Sequence, residues 1–161
     1  MYRRINFFIL LIFIFVSFSC VKYSFKGSLP SYLETIYITL FNDVSGYPQA
    51  PEDLTNEVTN NFIQDNTLRV ISDKKNADLI LSGTIQQIQV NYETIGGDQS
   101  AGNRRLTLVV KVECLDTHQN KPLWSKSISK STPYESDLEQ TLQEAIRLVA
   151  EEIVNLTIAA W

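Results

Sequence analysis

Cysteine and histidine are scarce in this chain, which holds two of the first and one of the second. So small an inventory assembles neither a disulfide framework nor a zinc site. Cys114 sits in an apolar alternation and reads as a small core residue. His118 stands in a polar turn, with no acid at a catalytic spacing beside it, and reads as solvated. Positive charge is also in deficit: 14 lysines and arginines face 18 acids, for a net charge of −4. That argues against a nucleic-acid binder, whose affinity rests on neutralising phosphates. Glycine is sparse, and Gly96-Gly97 lacks the lysine and helix that would make a phosphate cradle. Glu151-Glu152 are neighbours on a helix, so they point apart and form no close carboxylate dyad. Asp78 opens a strand, where a carboxylate ties down a turn. Nothing combines a nucleophile, a base and an oxyanion site. The expectation is a protein that is not an enzyme and carries no metal or cofactor.

What the chain does have begins at its start. Met1-Tyr2-Arg3-Arg4 is a short cationic head, and residues 7–16 are apolar without a charge or helix breaker. Ser17-Phe18-Ser19 then leads into Cys20. This is the layout of a secretory signal. As a helix the apolar run would be roughly 18 Å long, short of the ~30 Å hydrocarbon core, so export is favoured over a permanent span. A cut before Cys20 would free a thiol for lipid attachment and an amino group for a further acyl chain. The bacterial lipobox has Leu three residues before its cysteine; here that place is Ser17, while the small Ser19 fits. The alternative is an ordinary signal peptide with an incidental cysteine. Several acyl chains, at about 0.8 kcal/mol per buried CH₂, hold where one is marginal. Loss of residues 1–19 leaves 142 residues, enough for a real core. Without Arg3 and Arg4, twelve basic residues face eighteen acids, a net charge of −6.

Residues 20–34 read as a lipidated tether or short strand, with Tyr23 and Phe25 alternating. Residues 35–161 read as one α+β domain. Residues 35–41 alternate with period two and predict a strand apolar on both faces, ended by Asn42-Asp43. Pro51-Glu52-Asp53 open a helix whose Leu54, Val58 and Phe62 fall at i, i+4, i+8. Residues 68–71 predict a short strand, and 72–76 a polar turn. Residues 77–92 predict a long strand whose apolar parity changes near Gln86-Gln87, the mark of a β-bulge. A glycine-bearing connection, residues 93–103, follows. Residues 104–116 place Leu106, Leu108, Val110, Val112 and Cys114 on one face, opposite Arg105, Thr107, Lys111 and Glu113, so one side is wet. Residues 117–120 turn the chain, and 122–131 return as an edge strand, Trp124, Lys126, Ile128 and Lys130 alternating with serines. A long amphipathic helix over residues 137–160 carries one apolar stripe, with Ser136 or Asp137 to cap it. This order predicts a two-layer α+β sandwich: a mostly antiparallel sheet with two helices on one face. No internal repeat or low-complexity tract appears.

Several stretches stand out in order. They are Cys20-Val21-Lys22-Tyr23-Ser24-Phe25-Lys26-Gly27, then Thr35-Ile36-Tyr37-Ile38-Thr39-Leu40-Phe41-Asn42. Thr67-Leu68-Arg69-Val70 precedes Ala77-Asp78-Leu79-Ile80-Leu81-Ser82-Gly83-Thr84-Ile85. Leu115-Asp116 through Lys121-Pro122-Leu123-Trp124-Ser125 forms a hairpin pattern, and Ala159-Ala160-Trp161 closes the chain. In this order they resemble the LptE-like lipopolysaccharide-assembly lipoproteins. The resemblance implies a plug and assembly partner of the outer-membrane β-barrel LptD, lipid-anchored to the outer membrane through Cys20 and assisting lipopolysaccharide transport. The alternative is a structural or adaptor lipoprotein of another envelope export machine. Lipopolysaccharide offers phosphates and acyl chains, so cations beside apolar groups are the candidate contacts: Arg104 and Arg105 at a strand tip, Lys126 and Lys130 beside Trp124 and Ile128. Val21 is no retention aspartate, which suits the outer membrane under the enterobacterial sorting rule.

Overall fold

The computed structural model describes residues 29–93, 103–134 and 136–159. The leader, Cys20, the glycines at 96, 97 and 102 and the closing tryptophan lie outside the described residues.

Period-two patterning produces strands where it is sustained. β1 (Thr35–Ile38) is followed by β2 (Asn42–Asp43), β3 (Arg69–Val70), β4 (Leu79–Glu93), β5 (Asn103–Asp116) and β6 (Lys121–Pro133). Their order across the sheet is β3-β1-β4-β5-β6, with β2 also beside β4. β1 runs parallel to β3 and β4, while β4/β5 and β5/β6 are antiparallel. The sheet is therefore mixed but mostly antiparallel, as expected. The long antiparallel ladder breaks register between Ile85 and Gln87, where the apolar parity of β4 changes.

The strand expected over residues 35–41 is interrupted. After Ile38 the backbone leaves regular pairing: Thr39 donates its N–H and its hydroxyl to the same carbonyl, that of Leu81, at 2.9 and 3.0 Å. The Phe41 N–H turns instead to Thr55 Oγ1 (3.1 Å), and its ring enters the core. β2 then rejoins β4 opposite Thr84 and Ile85. Alternation of apolar residues is the same for an unbroken strand and a jogged one, so the pattern did not reveal the break. Asn42-Asp43 pair as strand and also supply turn chemistry, since the Asp43 carboxylate accepts the N–H groups of Ser45, Gly46 and Tyr47.

α1 (Ala50–Asp65) carries Pro51 in its first turn with Glu52 and Asp53, and buries Ala50, Leu54, Val58 and Phe62. It ends at Asn66, left-handed at φ 58°, a conformation asparagine tolerates better than most residues. α2 (Leu138–Ile158) is capped by Asp137, whose carboxylate accepts the Gln140 N–H at 3.0 Å. Both helices pack on the sheet face bearing Leu79, Leu81, Ile85, Leu108, Val110 and Val112, and on each other, forming one core. Cys114 is fully buried in it. The other sheet face stays wet, with Lys111 and Glu113 of β5 and Ser125, Ser127, Ser129 and Ser131 of β6 exposed. Among the described residues no helix is long and apolar enough to cross a membrane.

Candidate functional site

The four candidate cations do not converge. Strand alternation puts Arg105 on the open face of β5, where its guanidinium donates to the Ser131 carbonyl at 2.9 Å. Arg104 lies on the other face, its guanidinium carbon 4.7 Å from the Tyr134 ring centroid, a cation–π contact. Lys126 and Lys130 share the helix side of β6 with Trp124 and Ile128, because Val112, Leu108, Cys114 and Val110 of β5 stand opposite them. Lys130 reaches over to α2 and pairs with Glu152 at 3.3 Å. Lys126 is exposed. Three of the four are thus engaged within the fold, and Lys126 is the one whose ammonium the sheet edge presents to solvent. Cys20 lies outside the described residues.

A tighter cluster forms at the opposite end of the sheet, and spacing alone did not indicate it. The expectation that His118 is merely solvated needs correcting: its Nε2 lies 2.7 Å from Asp78 Oδ1, although half of the imidazole remains exposed. The other Asp78 oxygen accepts the backbone N–H groups of Glu34 (3.0 Å) and Thr35 (2.8 Å) and the Thr35 hydroxyl (2.7 Å). Burial would raise this carboxyl, but the hydrogen bonds from His118, Thr35 and the two amides outweigh it and hold its pKa at about 2. Beside it Tyr32 donates its phenol to Asp116 Oδ2 at 2.8 Å, accepts from Gln119 at 2.7 Å and meets the His118 ring edge-on at 5.3 Å. Asp116 Oδ1 meanwhile accepts the N–H groups of His118 and Gln119, shaping the β5–β6 turn. The available signal was register: Leu79 opposite Asp116 brings Asp78 beside Thr117, one residue from His118.

This cluster fastens structure. Asp78 is spent on four donors, and among the described residues the imidazole meets Asp78 and Tyr32. Cys114, the only described thiol, is pushed up to about 12 by burial and by the nearby carboxylates of Asp116 and Glu113. A groove of about 690 Å³ opens between the end of β6, the start of α2 and Glu57, lined by Ser136, Gln140, Glu144 and Arg147 among others. Arg147 there is held by Glu144 and Glu151. No group of three metal-capable side chains occurs among the described residues.

Comparison with known proteins adds to this geometry. A family model described as LptE, Lipopolysaccharide-assembly, matches residues 33–157. No curated protein matches the sequence. Solved structures with the same fold include a hypothetical protein from Chlamydia trachomatis: TM-score 0.63, 9% identity, 79% of this chain and 97% of that one. A minor lipoprotein from Acinetobacter baumannii superposes at TM-score 0.54 with 11% identity, over 80% of this chain and 94% of that one. The PelC dodecamer from Paraburkholderia phytofirmans does so at 0.53 with 16% identity, over 78% and 92%. At these identities the likeness is one of fold.

Proposed function

The chain belongs to the LptE family of lipopolysaccharide-assembly proteins, and from that premise we propose that it is an outer-membrane lipoprotein, acylated at Cys20, that plugs the LptD β-barrel and assists its assembly. The family match over residues 33–157 is the observation that carries this reading. The fold supports it physically. A sheet backed by two helices makes a stiff wedge, and the wet sheet face of serines, Lys111 and Glu113 suits a barrel interior, which is polar where the outer wall is greasy. The short apolar leader ending at Cys20 supports the anchor. The role is non-enzymatic: a plug works by filling and contacting. Lipopolysaccharide contact is proposed through Arg104, Arg105, Lys126 and Lys130, with Lys126 the most accessible.

Depletion of the protein tests the plug role: LptD levels and surface lipopolysaccharide are expected to fall together, and normal levels of both would remove it. The anchor is tested separately. Cys20→Ala should abolish incorporation of labelled fatty acid and leave an unprocessed precursor; unchanged labelling would rule acylation at Cys20 out.

A second reading is an adaptor lipoprotein of another export machine, built on a fold that a minor lipoprotein from Acinetobacter baumannii shares. Purification through a tag after Trp161 separates the two. Recovery of LptD supports the plug, and recovery of a secretion complex without LptD supports the adaptor.

A further inference from the structure

Residues 29–33 lie across the end of the sheet, and the way the chain is held changes abruptly at Glu34. From Thr35 onward β1 has a backbone ladder on each side, to β3 and to β4. Glu34 is pinned as well: its N–H bonds to Asp78, and its carbonyl accepts the Arg69 N–H at 2.9 Å. Ahead of it, among the described residues, the one backbone hydrogen bond is internal, from the Leu33 N–H to the Pro30 carbonyl. Side chains alone fasten this stretch. Leu33 is buried at 4% exposure, and Leu29 packs against the core. The Tyr32 phenol, which donates to Asp116 and accepts from Gln119, is the polar catch. A segment with few buried apolar groups and no ladder is the kind that opens by itself, at a lower free energy than whole-fold unfolding.

The groups that hold this stretch stay occupied when it leaves. Two carboxylates are each divided between the entering chain and the β5–β6 turn. Asp116 takes Tyr32 on Oδ2 and the His118 and Gln119 amides on Oδ1. Asp78 takes the Glu34 and Thr35 amides on Oδ2 and faces His118 Nε2 with Oδ1. Detachment of Tyr32 therefore leaves the turn folded and the pin at Glu34 in place. We propose that residues 29–33 form a strap that swings open at Glu34 while the rest of the fold stays closed, with Tyr32 as its catch. Open, the strap frees five residues. The greatest span from Cys20 to the first fixed residue rises from about 30 Å at Leu29 to about 45–50 Å at Glu34. For a domain anchored through Cys20, the strap thus sets how far from the membrane it reaches. That consequence rests on the acylation proposed above, whereas the opening itself does not.

Thiol labelling tests the opening. Leu33→Cys places a thiol beneath the strap, and Cys114, buried in the core, serves as the second reporter. Full-length protein in detergent is exposed to a thiol reagent without denaturant, and the labelled sites are located by peptide mass. Position 33 should label about tenfold or more faster than Cys114. In that background Tyr32→Phe, and separately Gln119→Ala, should raise the rate at position 33 by about three- to tenfold, the worth of a hydrogen bond. Asp137→Ala, which weakens the start of α2 away from the strap, should speed Cys114 and leave position 33 within about twofold. Equal rates at the two thiols overturn the proposal, since whole-fold unfolding would then be what exposes position 33. So does a rate there that ignores both catch variants or follows Asp137→Ala. Labelling at Cys20 reports separately on acylation and leaves the strap result unaffected.

Discussion

Gly83 lies directly under the Phe41 ring. A Cβ placed at 83 would stand 2.7 Å from Phe41 Cδ1, closer than real Cβ atoms come, and a tight 3.0 Å from the Lys111 carbonyl oxygen. The missing side chain on β4 is what lets the jog after β1 send its aromatic ring inward. Gly83→Ala is accordingly expected to destabilise the fold by about 1–3 kcal/mol, the usual penalty for overpacking. Denaturant unfolding measures it, and a loss below about 0.5 kcal/mol would show that the ring shifts aside freely.

Asp78 makes stability depend on acid. Its folded pKa of about 2 lies below the ordinary 3.8, so its contribution is complete above the unfolded value and is lost as pH falls through the folded one. After allowance for partial solvent access this amounts to about 1–2 kcal/mol. Stability curves from pH 5 to pH 2 should converge for wild type and Asp78→Asn, the variant being weaker at the upper end. Parallel curves would mean that the carboxylate's charge plays no part.

Cys114 should resist thiol reagents in the native protein at pH 8 and react only after unfolding, because burial removes both access and thiolate. Rapid labelling under native conditions would contradict its place in the core.

Loss of the helix cap offers a smaller effect. Asp137→Ala removes the acceptor for the Gln140 N–H and is expected to cost about 1 kcal/mol, while Asp137→Asn or Ser retains most of it. Equal losses for Ala and Asn in thermal melts would locate the effect elsewhere.

Lys126→Ala should leave stability within about 0.5 kcal/mol, as for most exposed positions. If Lys126 meets a phosphate, the same substitution weakens lipopolysaccharide binding several-fold in a titration with purified lipopolysaccharide. Unaltered binding removes Lys126 from the contact set.

Much of the fold was readable from the chain because hydrophobic spacing reports burial directly. Leu54, Val58 and Phe62 announced α1, and the parity change at Gln86-Gln87 announced the register shift. The jog at residues 39–41 was hidden, since the room for its Phe41 ring is left by a glycine more than forty positions away. The parallel placement of β1 between β3 and β4 also leaves no trace in local alternation, which reads the same in either direction. Arg104, Arg105, Lys126 and Lys130 were identifiable as cations near apolar groups, but not the partners that occupy Arg104, Arg105 and Lys130. Asp78 was readable as a carboxylate that ties down a turn, but not its pairing with His118, because a contact across forty residues exists only once the β4–β5 register is known.

Because β1 is gripped on both flanks by strands running its own way, a pull on the chain ahead of Thr35 loads it along its length. The bonds to β3 and β4 then share the force and must slide together, where a peeling geometry would break them one by one. Tyr32, held by Asp116 and Gln119, and then Asp78, clamping the Glu34 and Thr35 amides, stand as the first bolts in that line. The fold is thereby built to withstand drag from its amino-terminal side.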